Sequence, residues 1–265
     1  MLHLSVLITV YATVLALILG ACFGSFLNCM AWRIVHGESV LKGRSHCDNC
    51  GHVLGFGDLV PIASYLAHGG KCRYCGQKIS KGQLWGEIIS ALVFALLLWR
   101  YDISLQLLEY LGLACVLLAC SFADLEGYII PDRFILAGIG IRLIFILTSG
   151  DIINELLFSA LGGIPLVLVM LLIVFVMEKI LKREAMGGGD IKLLFLTGIF
   201  LGWQLNIMCL IFACLFGIVC GIASAGGKKH GEGEKLIPWG PSIAAGAGAA
   251  LIFGEPLLSW YLSLF

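Results

Sequence analysis

Charge is scarce in this chain. Of 265 residues, 17 are Lys or Arg and 17 are Asp or Glu, which makes 13%, about half the share carried by a soluble domain. Hydrophobic residues reach 60% and mean hydropathy is +0.99, so there are too few polar side chains to cover a water-soluble globule. A cytosolic enzyme of ordinary composition is excluded. Disorder, a collagen-like chain and a secreted disulfide scaffold are excluded too, because the sequence is strongly apolar, has no glycine period and carries too few charges to stay solvated. The net charge of zero is silent about partners, since what matters in such a chain is where the basic residues sit relative to a bilayer. Histidine is also sparse: the six residues at 3, 36, 46, 52, 68 and 230 show no metal-ligand spacing. There is no HExxH, no GxSxG and no Gly-rich strand-turn-helix of a soluble cofactor fold.

What the chain has instead is long apolar runs. No Lys, Arg, Asp or Glu occurs from Met1 to Trp32, a stretch longer than the roughly 20 residues a spanning helix needs. It lacks a basic n-region and outruns an h-region, so it reads as a first transmembrane helix and not as a cleaved signal. Further runs fall at about 84–99, 104–122, 134–148, 155–177, 193–203, 205–223 and 241–264. The expectation is an all-α polytopic membrane protein of about eight transmembrane helices. Seven spans or a broken last helix stay open, because 193–203 is short and Gly254-Glu255-Pro256 interrupts the final run. Three regions follow: residues 1–32 as the first transmembrane helix, 33–83 as a small connecting loop domain, and 84–265 as the remaining membrane core.

Seven basic residues lie from Arg33 to Lys81, one is Arg133, four lie from Lys179 to Lys192 and three from Lys228 to Lys235. With eight alternating spans these four loops share one side, which the positive-inside bias makes cytosolic, with both termini outside. Arg100 falls at an outer helix end and Arg142 inside the fourth span. An intramembrane Arg faces a partner or snorkels to an interface, and Glu109 in the third span is one candidate partner.

Cys22, Cys29, Cys115, Cys120, Cys209, Cys214 and Cys220 sit in apolar stretches and read as small hydrophobes. The other four cysteines form Cys47-Asp48-Asn49-Cys50-Gly51 and Cys72-Arg73-Tyr74-Cys75-Gly76, the paired spacing of a zinc site. Zn²⁺ takes four thiolates in a tetrahedron. Gly51 and Gly76 permit the left-handed turn that brings amide N–H groups toward the sulfurs. A redox or disulfide pair is the rival reading, and a reducing cytosol weighs against it. A loop of this size with few large apolar side chains needs such a staple to hold a core.

Two acids stand near the ends of predicted spans. Asp124 ends the third run in Ser121-Phe122-Ala123-Asp124, and Asp190 opens the sixth in Met186-Gly187-Gly188-Gly189-Asp190-Ile191-Lys192. They fall at similar depth near one membrane face. A carboxyl pair at short range shares one proton, so one member can act as base on water and the other as acid toward a carbonyl. That is chemistry for peptide hydrolysis. Gly188 and Gly189, lacking Cβ, would let an extended peptide approach the backbone beside the acid. The alternative is that both acids cap helix ends. Capping suits Asp132 better, because it follows Pro131 at a helix start.

These motifs together resemble the type IV prepilin peptidases, bifunctional leader peptidases and N-methyltransferases of pilus and type II secretion systems. Gly24-Ser25-Phe26-Leu27-Asn28 with Arg33 resembles the family's first-helix motif, and Gly43 through Lys81 its tetracysteine loop. Asp124 with Ile130-Pro131-Asp132 is similar to the first aspartate motif, and Gly187-Gly188-Gly189-Asp190 to the GxGD motif. The resemblance covers nearly the whole chain. It implies that Asp124 and Asp190 cut a prepilin or pseudopilin after a leader ending in Gly on the cytosolic face of the inner membrane, with structural zinc on Cys47, Cys50, Cys72 and Cys75. It also implies methylation of the new N-terminus from S-adenosylmethionine, and no nucleic-acid partner. Relatives usually read Pro-Phe-Gly-Pro where this chain has Pro238-Trp239-Gly240-Pro241, and often Tyr-Pro-x-x-Glu where it has Leu84-Trp85-Gly86-Glu87. The methyl-donor site is unassigned; Glu87, Asn28 and Arg33 are candidates, each with an equal reading as an anchor. A scaffold whose zinc loop recruits a cytosolic partner is the alternative from another class, and a proton-relay transporter, whose acids belong near the midplane, ranks behind it.

Overall fold

The structure is a computed structural model, and it describes residues 6–40, 43–47, 49–182, 186–225 and 238–264. His3, His230 and the basic group Lys228–Lys235 lie outside the described residues, as do Lys42, Asp48 and Arg183. The described residues form eight α-helices: α1 Val6–Val35, α2 Ala63–Ala67, α3 Lys81–Tyr101, α4 Leu105–Gly127, α5 Asp132–Thr148, α6 Ile152–Leu181, α7 Gly188–Ala225 and α8 Gly240–Leu262. A 3₁₀ turn, Phe56–Leu59, precedes α2. Six of the helices (α1, α3, α4, α6, α7 and α8) are long and apolar enough to cross a bilayer. The chain divides into two compact units, Met1–Leu111 and Gly112–Phe265, with the division falling within α4.

The first unit is built on α1 and α3. Gly20 and Gly24 let the two backbones close: a Cβ on Gly20 would lie 2.6 Å from the Ser90 carbonyl, and one on Gly24 2.6 Å from Ser90 Oγ. Small residues at such a seam replace the hydrophobic drive that lipid removes. Ser90, fully buried, satisfies its hydroxyl on the Gly86 carbonyl at 2.8 Å. Trp99 Nε1 donates to Thr13 Oγ1 at 2.8 Å, which pairs the end of α3 with the start of α1 and makes the helices antiparallel. Ser80 caps α3 by accepting the Gly82 N–H. The outer faces of both helices carry large exposed apolar side chains, from Leu7 to Leu96, as lipid-facing surface requires.

In the second unit α7 is not one straight rod. Gly202 stands at φ 73°, ψ 172° within it, a conformation open chiefly to glycine. Beyond the break, Asn206 Nδ2 donates to the Leu194 carbonyl at 3.2 Å, and Thr197 Oγ1 donates to Asn206 Oδ1 at 2.8 Å. In an unbroken helix residues 194 and 206 would stand about 18 Å apart. The chain therefore folds back at Gly202, and α7 is a hairpin with arms 188–201 and 203–225. The sequence runs at 193–203 and 205–223 are these two arms.

The hairpin is clasped from both sides. Gly162 of α6 meets the Gly198 carbonyl so closely that no Cβ fits, and Asn206, fully buried, also donates to the Gly162 carbonyl at 3.2 Å. On the other side Gly246 of α8 packs on Cys209 and Ala213, and Cys209 Sγ contacts the Ile243 carbonyl at 3.8 Å. The last helix runs unbroken through Glu255 and Pro256, so the interruption read there does not split it. Helix α5 has 17 residues, at the lower limit for a span. It is tied to α6 by Arg142, which is 5% exposed, ion-paired to Glu155 at 2.6 Å and hydrogen-bonded to Ser159 Oγ at 3.0 Å. The intramembrane arginine is buried and paired, and does not snorkel.

Candidate active site and metal cluster

Asp124 lies in the last turn of α4, the end where a helix's own dipole disfavours a carboxylate. It is only 6% exposed. Its support comes from elsewhere in the chain: the backbone N–H of Gly240, the first residue of α8, donates to Asp124 Oδ2 at 2.8 Å. Asp124 thus caps a helix end, as its capping alternative requires, but the end is the positive start of α8 and not part of its own helix. A Cβ on Gly240 would lie 2.8 Å from the same oxygen, so only glycine permits this approach. The neighbouring motif residues complete the arrangement. Trp239 packs its indole against Gly217 of α7, and Pro241 sits in the first turn of α8, where a missing N–H costs nothing.

Asp190 occupies the first turn of α7, with its N–H on the Gly187 carbonyl at 3.1 Å. Asp124 and Asp190 line one cavity of about 420 Å³, walled by the turn Tyr128–Asp132 and by Gly187–Asp190. The two glycines expected to receive a peptide both line the cavity, but differ. Nothing lies within 4 Å of a Cβ placed on Gly188, whereas one on Gly189 would meet Ile130 Cβ at 3.0 Å. Gly188 leaves space and Gly189 allows close packing of the cavity wall. Asp132 does not cap α5 as expected, because the cap position is taken by Pro131 with no side-chain cap bond; Asp132 is the first helical residue, and its Oδ1 instead pairs with Lys192 Nζ at 2.6 Å at the cavity rim.

The four loop cysteines converge. The sulfurs of Cys47, Cys50, Cys72 and Cys75 all lie within 4.8 Å of one another. Two knuckles of the same design present them. In the first, Cys47 N donates to the His52 carbonyl and Gly51 N to the Cys47 carbonyl; in the second, Cys72 N donates to Gln77 and Gly76 N to Cys72. Gly51 at φ 68° and Gly76 at φ 73° make both turns. Asn49 Nδ2 lies 3.7 Å from Cys75 Sγ. The Gln77 backbone N–H, then the Asn49 amide, hold the Cys75 thiol down at about 7. The Cys50 thiol is drawn down by the His52 backbone, but desolvation and the thiols of Cys47 and Cys75 outweigh this and push it up to about 11. Four sulfurs so close resist joint ionisation without a cation among them. The cluster can hold a metal ion, and a tetrathiol set is one that Zn²⁺ accepts.

Glu87 and Arg33, both buried, tie this loop to its helices. Glu87 Oε2 accepts the Ile62 N–H at 2.6 Å, and Arg33 Nη1 donates to the Ser39 carbonyl at 3.5 Å. Sequence reading does not find Gly240, Glu155 or the Glu87–Ile62 bond. The Pro-Trp-Gly-Pro motif signals that something is special near Gly240, but not that Asp124 is its partner.

These features define a class: an all-helical, multi-pass membrane protein with two carboxyl groups in one cavity and a tetrathiol cluster on a connecting loop. Comparison with known proteins supplies the family. Residues 18–101 match the bacterial peptidase A24 N-terminal domain, and residues 111–222 match the type IV leader peptidase family. A prepilin leader peptidase/N-methyltransferase of Myxococcus xanthus is 35% identical over 77% of this chain and 61% of that protein. Proteins of the same name from Aeromonas salmonicida and Pseudomonas putida are 31% identical (85% of this chain, 76% of theirs) and 28% identical (96% and 95%). The chain belongs to the type IV leader peptidase family and is a peptidase. No solved structure matches it.

Proposed function

We propose that this protein is a membrane-embedded aspartic endopeptidase that removes the leader of type IV prepilins or pseudopilins after Gly, with Asp124 and Asp190 as the catalytic pair. The observation that carries this reading is the meeting of the two acids in one cavity, with Asp124 anchored by the Gly240 N–H. One carboxylate takes a proton from water as the oxygen adds to the scissile carbonyl, while the protonated partner donates to the carbonyl oxygen. Collapse of the tetrahedral intermediate breaks the C–N bond, and the amine leaves with a proton returned by the pair. Gly188 gives an extended peptide room beside Asp190.

Eight crossings, counting α5 and both arms of α7, put Asp124, the start of α7 and the start of α8 on one side. The basic loops mark that side as the cytosolic face of the inner membrane. A substrate whose apolar helix stays in the bilayer offers its leader junction at this depth. Zn²⁺ held by Cys47, Cys50, Cys72 and Cys75 staples the loop. The family resemblance extends the reading to N-methylation of the new N-terminus by S-adenosylmethionine; for that step, the residues binding the donor are not assigned. The test is reconstitution with a prepilin and mass measurement of the product. Asp124→Asn and Asp190→Asn should each lower cleavage by about 10³-fold with metal content unchanged. Wild-type cleavage by either variant removes the dyad.

A further inference from the structure

The turn Phe56–Leu59 and helix α2 present apolar side chains outward: Phe56 is 93% exposed, Leu66 66%, Leu59 44% and Val60 43%. On a loop in water such a surface would be a liability. Its depth is set by the bond from the Ile62 N–H to Glu87 Oε2, 2.6 Å long, and the adjacent Gly86 carbonyl packs on Gly24 of α1, where a Cβ would lie 3.1 Å away. Helix α3 has 21 residues, about 31 Å, so it only just crosses the roughly 30 Å of hydrocarbon. Glu87 lies six residues inside its start at Lys81, about 9 Å. Gly24 lies 11 residues, about 16 Å, before the end of α1 at Val35, so α1 too runs on past this level.

Both helices therefore hold the Ile62 backbone alongside them, within the boundary layer, and not out beyond their ends. Ile62 adopts φ 62° to be there, a conformation a β-branched residue enters only when its surroundings impose it. Charge agrees with this placement. Residues 33–81 carry seven basic residues against three acids, Glu38, Asp48 and Asp58, an excess that attracts anionic headgroups.

We propose that residues 56–67 form an interfacial anchor, with Phe56, Leu59, Val60 and Leu66 inserted at the headgroup–acyl boundary of the bilayer the chain spans. The anchor fixes the tetrathiol loop at a constant height over the membrane, as an amphipathic segment lying in the interface does. The test places the fluorescent residue dansylalanine at position 56, and separately at 66, in the full-length metal-bound protein in nanodiscs of phosphatidylcholine and phosphatidylglycerol. Nitroxide lipids labelled near the headgroup should quench both positions at least about threefold more than lipids labelled at the chain terminus, with shielding from aqueous iodide. Iodide quenching equal to that of the free fluorophore at both positions, with no quenching by lipid, would overturn the anchor and leave the face open to a soluble partner. Cleavage measured in the same discs reports separately on the acid pair.

Discussion

The metal knuckles and the acid cavity are built on opposite plans. Each knuckle is closed by hydrogen bonds within ten residues, Leu54 N to the Ser45 carbonyl and Ile79 N to the Gly70 carbonyl, and the two copies repeat one pattern: an antiparallel pairing joins His46 to Val53 and another joins Lys71 to Lys78. The acid cavity draws on the end of α4, the start of α7 and the start of α8, and its central bond joins Asp124 to a glycine 116 residues away. A locally closed site depends on spacing and turn chemistry. A site closed over that distance depends on helix packing, and is sensitive to groups that carry no chemistry of their own.

The sharpest way to break this contrast is at Gly240. Gly240→Val places side-chain carbons against Asp124 Oδ2, where even a Cβ would approach to 2.8 Å. Cleavage should fall about 100-fold, in kcat more than in KM, because a displaced base loses its alignment. Metal content should stay at the wild-type level. Equal loss of metal would show that the two sites are not independent.

Metal removal is the reciprocal experiment. Chelation should erase amide-exchange protection across residues 43–79, because a loop of this size folds with its ion. Cleavage should fall no more than about tenfold, since no step of the hydrolysis uses the metal. A loss as deep as that of Asp124→Asn would move the metal into the chemistry.

A pH series on metal binding sharpens the picture of the cluster itself. Bound sulfurs are thiolates, and the free Cys50 and Cys75 thiols lie at about 11 and about 7. Uptake above neutral pH displaces the proton of Cys50, and below about 7 that of Cys75 as well. Affinity must therefore rise with pH, and more steeply on the acid side of neutrality. Competition with a chromogenic chelator between pH 6 and 8 checks the slope, and a flat curve would mean that the sulfurs are not the ligands.

The smallest effects separate the two glycines of the cavity wall. Gly189→Ala must push on Ile130, where a Cβ would lie at 3.0 Å, and should cost several-fold in cleavage. Gly188→Ala enters open space, and a short peptide substrate should be cut within about twofold of wild type, the modest size usual for an unopposed methyl group. The reverse order would mean that the peptide fills the space beside Gly188 so tightly that one methyl group obstructs it more than Ile130 resists Gly189→Ala.

Much of this was legible in the residue order, and for a physical reason. A span is written as a contiguous apolar run, so α1, α3, α4, α6 and α8 follow from hydropathy, and the two arms of α7 appear as adjacent short runs. Cysteine spacing of x₂ reads directly as a knuckle, because the ligands and the turn that presents them are neighbours. Asp124 and Asp190 stand out because acids are rare here. The support of Asp124 by Gly240, the pairing of Arg142 with Glu155 and the bond from Ile62 to Glu87 leave no periodic trace. Each depends on which helix faces which, information held in the packing of small residues such as Gly162, Gly198 and Gly246.

The first arm of the α7 hairpin, residues 188–201, is about 21 Å of helix, while the hydrocarbon layer it enters is about 30 Å thick. A rod that short leaves a deficit that the lipids must absorb, by compressing locally or by letting water sink toward the acid pair. If the acid pair is the catalytic pair proposed above, acyl-chain length then becomes a variable of the reaction, and a thicker bilayer works against the enzyme.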